Sequence, residues 1–163
     1  MILLGAVGFS FMACKKKNND EPNNGSFVLD CNLSVSYKNV HGDDLLNSNT
    51  PGAYKFDQMK LYYKINDSVK EVYNPNMDAP RNILLIKDLT PYQLNISTDD
   101  PGPAITDPNE TKTGTSITYL KLDSLDTDTI EADWERKSTY FVNLKIRYNG
   151  VEKPRDVPFV ILK

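Results

Sequence analysis

Between residues 27 and 37 an apolar side chain recurs at every second position. Phe27, Leu29, Cys31, Leu33, Val35 and Tyr37 fall on one face, and Asp30, Asn32, Ser34 and Ser36 on the other. In an extended chain successive side chains point to opposite faces, so a period of two marks a strand buried on one side. The period returns at Met59, Leu61, Tyr63 and Ile65, at Tyr92, Leu94 and Ile96, and at Val142, Leu144, Ile146 and Tyr148. No segment repeats its apolar residues convincingly at helical spacing.

Turn chemistry separates these runs. His41-Gly42-Asp43-Asp44 reverses the chain, Asn66-Asp67 makes a short hairpin turn into a strand over 69–73, and Asn149-Gly150 is the strongest two-residue hairpin signal present. Residues 83–86 are continuously apolar, which predicts a strand buried on both faces. Residues 117–122 and 129–134 read as strands around the acidic turn 123–128, and 157–162 as a last strand that Pro158 assigns to a sheet edge. About seven to nine strands at this spacing predict an all-β chain, a single antiparallel β-sandwich.

The 163 residues hold one domain of ordinary size once the first stretch is set aside, with 39% hydrophobic and 25% charged residues. The formal net charge is −3. No basic face follows the Lys15-Lys16-Lys17 triplet, which argues against a nucleic-acid partner.

Residues 2–13 form an apolar run too short to span a bilayer, which takes about 20 residues. It ends on small Ala13 before Cys14, the layout of a secretory signal. The basic residues that usually open such a signal are missing; a start site placed slightly late accounts for that. Residues 14–26 are polar and without period, a flexible tether that reaches at most about 45 Å. The organisation expected is a signal over 1–13, a tether over 14–26 and a β-sandwich domain over 27–163.

Phe11-Met12-Ala13-Cys14 resembles a bacterial lipobox, with Phe11 where Leu is usual, and the tail that follows is similar to those of Bacteroidetes envelope lipoproteins. The resemblance implies a lipid on Cys14 and anchoring in the outer membrane, on the periplasmic face or the cell surface. A Cys14–Cys31 disulfide is the rival reading, and a lipidated sulfur excludes it. The unit 83–96, with Leu89-Thr90-Pro91 before Tyr92, resembles the strand–corner–strand passage of immunoglobulin-like and prealbumin-like sandwiches. Gly42-Asp43-Asp44-Leu45-Leu46, Thr50-Pro51-Gly52-Ala53-Tyr54, Thr118-Tyr119-Leu120-Lys121-Leu122, Asp128-Thr129-Ile130-Glu131-Ala132 and Tyr148-Asn149-Gly150 are similar to small lipoproteins of unknown function from the same group. That likeness implies a fold and a location, and brings no activity with it.

Candidate sites are few. His41, the one histidine, lies in a turn without a Gly-x-Ser-x-Gly elbow, so a hydrolase is the weakest class. Zinc sites of four His or Cys ligands are excluded by count. Asp123, Asp126 and Asp128 are weak calcium candidates that lack the helical loop pattern; solvated charges at a sheet edge explain them as well. No cofactor is expected. Tyr54 and Tyr62 are glycan-stacking candidates. Ser68, Ser124 and Thr129 resemble the Asp-Ser/Thr-apolar acceptors of O-glycosylation in this bacterial group. The loops 43–54 and 99–114 are long and unpatterned, which favours binding or simple connection equally. The reading reached is a lipid-anchored, non-catalytic binding or structural module whose partner is an unknown protein or glycan; a glycan-binding accessory protein is the alternative.

Overall fold

The computed structural model describes residues 27–98 and 105–163. Eleven strands run through them: β1 (Val28–Asp30), β2 (Asn32–Lys38), β3 (Lys60–Ile65), β4 (Ser68–Glu71), β5 (Ile83–Ile86), β6 (Gln93–Ser97), β7 (Lys112–Lys121), β8 (Thr127–Arg136), β9 (Tyr140–Tyr148), β10 (Val151–Lys153) and β11 (Phe159–Leu162). The larger sheet has the order β1-β9-β8-β7-β3-β4, with β10 paired to β9 beyond β1. The smaller has the order β11-β2-β6-β5.

The turns carry the residues their geometry needs. Asn149 and Gly150 both have positive φ, 50° and 77°, as a two-residue hairpin with the right twist requires. Asn66 takes φ 53° between β3 and β4, where Ile65 pairs with Ser68. Asn tolerates this region because its short side chain bonds locally.

One core lies between the sheets. Leu61, Leu120, Ile130, Ile146 and Tyr148 from the larger sheet meet Leu33, Val35, Tyr37, Leu94, Ile96 and Phe159 from the smaller. Each such aliphatic or aromatic side chain contributes about 1.5–3 kcal/mol on burial. Two sheets sharing a core, neither closed on itself, fit a β-sandwich.

Four expectations are corrected. The pairing is mixed rather than wholly antiparallel, because β1 runs parallel to β9 and β11 parallel to β2. The alternating stretch 27–37 is two strands: the chain changes sheets at buried Cys31, so Leu33, Val35 and Tyr37 point inward while edge residue Leu29 stays 57% exposed. Residues 83–86 are an edge strand, with Leu84 52% exposed, rather than a strand covered on both faces. In β9 the alternation is broken by a bulge: Asp133 faces Lys145 while Trp134 faces Asn143. Leu144 is the extra residue and is 54% exposed, and Asn143 turns inward to donate from Nδ2 to Thr98 Oγ1 at 2.9 Å. The strand count also exceeds expectation, because β1 and β10 are three-residue pieces too short to show a period.

Candidate functional site

The chain between β2 and β3 is tied down at its start. Leu45 and Leu46 are buried in the core, Leu45 donates its amide to the Tyr37 carbonyl, and Tyr54 donates back to the Leu45 carbonyl, both at 2.9 Å. The Asp44 carboxylate accepts the Leu46 amide at 2.9 Å and the Tyr92 amide at 2.7 Å, fastening the loop to the corner before β6. Turns closed by Thr50 onto Asn47 and by Ala53 onto Thr50 shape the rest, with Gly52 at φ 78° where a Cβ would be strained.

The far end is held by one cation. Arg81 Nη1 donates to the carbonyls of Phe56, Asp57 and Met59 at 2.9, 3.0 and 2.8 Å, and its guanidinium lies 4.7 Å from the centre of the Phe56 ring. Those carbonyls surround a 3-10 turn, Phe56–Gln58, whose short length leaves backbone acceptors over.

Between this loop and the end of β5 lies a groove of about 580 Å³. Leu46, Tyr54, Phe56 and Leu85 supply its apolar lining, and Ser48, Thr50, Lys55, Asp57 and Lys87 its polar rim. The groove thus contains part of the predicted loop 43–54 and Tyr54. The Tyr54 ring stands edge-on to Tyr37, with centroids 5.9 Å apart, and its hydroxyl donates to Asp126 Oδ2 at 2.5 Å. Partial burial, then the bond to Asp126, hold its phenol well above the usual tyrosine pKa.

Asp126 and Asp128 belong to a network behind the groove. Lys163 Nζ donates to Asp126 Oδ1 at 2.9 Å and to Asp128 Oδ1 at 2.7 Å, and it lies 5.8 Å from the Tyr37 ring centre. Tyr148 donates to Asp128 Oδ2 at 2.8 Å and also shares a hydrogen bond with the Tyr37 hydroxyl. Burial raises the phenols of Tyr37 and Tyr148 far above their ordinary value, reinforced in Tyr37 by the Asp128 charge and in Tyr148 by its interactions with Tyr37 and Asp128. Burial alone would raise the Asp126 carboxyl, but the bonds from Lys163 and Tyr54 outweigh it and the pKa falls. Two of the three calcium candidates therefore already share a cation from the chain. The third, Asp123, accepts the amides of Leu125 and Asp126 at 2.7 and 2.9 Å, an ordinary side-chain turn.

The other candidates lie apart. Tyr62 is on the outer face of the larger sheet, paired across strands with Tyr119 and Glu71, and is not brought near Tyr54. His41 sits in an exposed turn whose amide donates to Asn39 Oδ1 at 2.9 Å. Ser68 begins β4 in an exposed position, Ser124 is exposed in the acidic turn, and Thr129 is half-buried with its amide bound to Asn149 Oδ1 at 2.7 Å. Cys14, the signal, the tether and the first part of the 99–114 loop lie outside the described residues.

Sequence reasoning missed Arg81, Phe56, Leu85, Tyr119 and Lys163 as members of these sites. Tyr119 and Leu85 had a local signal, since each lies in a segment that reads as a strand. Among the described residues no helix is long and apolar enough to cross a membrane, and no group of three or more His, Cys, Asp or Glu converges as metal ligands. No family model, curated protein or solved structure matches the chain.

Proposed function

We propose that the protein is a lipid-anchored outer-membrane lipoprotein whose domain, an immunoglobulin-like or prealbumin-like sandwich, is a non-catalytic binding module. The groove between the 46–57 loop and β5 carries this reading. It combines an apolar lining with a charged rim, and its walls are fixed by the core leucines at one end and Arg81 at the other. Such a pocket orients a ligand with few polar groups while apolar contacts supply affinity. His41 is not among the groove residues. The lipobox-like sequence before Cys14 supports the anchor, and the corner between β5 and β6 supports the sandwich type.

The test has two arms. Protease treatment of intact cells, beside a Cys14→Ser variant, reports display: the native domain is shaved from whole cells and the variant leaves the membrane fraction. Retention of Cys14→Ser in the membrane overturns the anchor. For the module itself, Phe56→Ala should weaken binding of whatever the purified chain captures, and unchanged binding removes the groove from consideration.

A second reading places glycans on the outer face of the larger sheet. Tyr62 and Tyr119 are direct cross-strand neighbours there, and adjacent rings on an open face suit stacking against sugars. A glycan array run with the native chain and Tyr62→Ala separates this face from the groove, since the substitution leaves the groove intact.

A further inference from the structure

We infer that the groove takes an extended peptide with an acidic residue, which adds as a new strand to the open edge of β5. The inference rests on the groove being the binding site, and it names the class of partner.

Backbone geometry comes first. Among the described residues β5 ends the smaller sheet and pairs on one side only, with β6. The Ser97 amide donates to the Asn82 carbonyl, and Asn82 is in register with Ser97 by extension of the β5–β6 ladder. In an antiparallel pair the hydrogen-bonded positions alternate, so Leu84 and Ile86 exchange bonds with β6. The N–H and C=O groups of Leu85 therefore point at the open edge; those of Ile83 face the same way but are buried, Ile83 being only 3% exposed. A strand laid there has donors and acceptors to meet, the mode by which extended peptides complete a sheet.

β5 itself carries no charge, although Lys87 and Asp88 follow it directly. Other terminal strands carry devices that discourage pairing: β4 has Lys70 and Glu71, β10 has Glu152 and Lys153, β1 is three residues long and ends on Asp30, and Pro158 immediately precedes β11. β5 is Ile-Leu-Leu-Ile, with neither charge nor proline within it or directly before it.

The groove then sets the partner's side chains. Leu85 belongs both to this edge and to the apolar lining, beside Tyr54 and Phe56, so alternate side chains of an added strand would enter the groove. Charge sets the rest. Lys55 and Lys87 stand on the rim against the single carboxylate of Asp57, a positive spot on a chain whose net charge is −3. An acidic peptide complements it.

A phage-displayed library of random nine-residue peptides, panned on the full chain purified in detergent, is the probe. The expected result is enrichment of sequences that alternate apolar and polar residues and carry Asp or Glu. Peptides made from them should slow hydrogen exchange at the Leu85 amide and leave Leu84 and Ile86, already bonded to β6, unchanged. The exposed double substitution Lys55→Glu and Lys87→Glu should weaken their binding about tenfold or more, equivalent to a lost anchor contact. Leu85→Glu should abolish it, and the double charge reversal remains informative where that variant does not fold. Peptides that bind without protecting Leu85, or no enrichment at all, overturn strand addition. The same chain on a glycan array then separates the two failures. Glycan binding lost in Phe56→Ala keeps the groove as a site and removes only the peptide, whereas neither peptide nor groove-dependent glycan removes both readings.

Discussion

Lys163 and Asp128 form an inter-sheet ion pair at 2.7 Å, with the carboxylate from β8 almost wholly buried and the ammonium from the residue after β11 partly so. This contact joins the two sheets through charge where the surrounding residues join them through apolar packing. Burial would lower the lysine pKa, but the bonds to Asp126 and Asp128 outweigh it and keep the ammonium charged. Removing the cation leaves Asp128 buried without its counter-charge. Lys163→Met should therefore cost about 3 kcal/mol, read as a lower urea midpoint, and an unchanged midpoint would show that solvent replaces the ammonium freely.

Acid should loosen the outer face of the larger sheet. Arg147 Nη1 and Nη2 donate to the two Asp133 oxygens at 2.7 and 2.8 Å, and this bidentate grip, aided by Thr115, holds the Asp133 carboxyl at about 2. The folded pKa lies below the unfolded carboxylate value of about 3.9. The stabilisation is thus complete above that value and lost as pH falls through about 2. Denaturation midpoints measured from neutral pH down to this range should decline, and Asp133→Asn should flatten the decline. An identical pH profile in the variant would assign acid sensitivity elsewhere.

Arg81 ties down the 56–59 backbone that forms one wall of the groove. Arg81→Ala removes three charge-assisted bonds and the contact with Phe56, a loss of about 2 kcal/mol. Faster hydrogen exchange over residues 56–59, without a matching change in β8, is the signature to look for. Equal acceleration across both sheets would mean that Arg81 stabilises the domain as a whole.

Gly114 is required by a neighbour rather than by its backbone angles. A Cβ there would lie 2.6 Å from Trp134 Cζ2 and 2.9 Å from Cε2, so the ring would have to leave its place beside Phe141, 5.7 Å away centre to centre. Gly114→Ala should destabilise by about 1–3 kcal/mol and shift the emission of the chain's one tryptophan. Native emission and stability together would show that the indole has room to move.

Much of the strand pattern was legible because period two and turn residues are local. Residues 31–37, 59–63 and 92–96 fold on the faces their alternation predicts, and Asn149-Gly150 turns as its chemistry requires. Leu29 and Leu144 were misread for a shared reason: alternation reports the face only while a strand stays in one sheet and in register. The crossing at Cys31 and the bulge opposite Asp133 and Trp134 break those conditions without leaving a local mark. Tyr54 was identified from its loop, yet its wall partners Leu85 and Arg81 come from distant segments. Lys163 reads as one more surface lysine until β11 places it between two carboxylates.

The parallel pairing of β11 with β2 bears on the order in which the molecule can form. Phe159 must find Val35, and Leu162 must find Lys38, across nearly the whole described chain. Hairpins such as β3–β4 close early, at little entropic cost, whereas this pairing closes a long loop. The smaller sheet therefore completes late. A chain emerging in order can pair β2 with β6 and β6 with β5 as soon as those strands exist, and β2 keeps an open edge until β11 arrives.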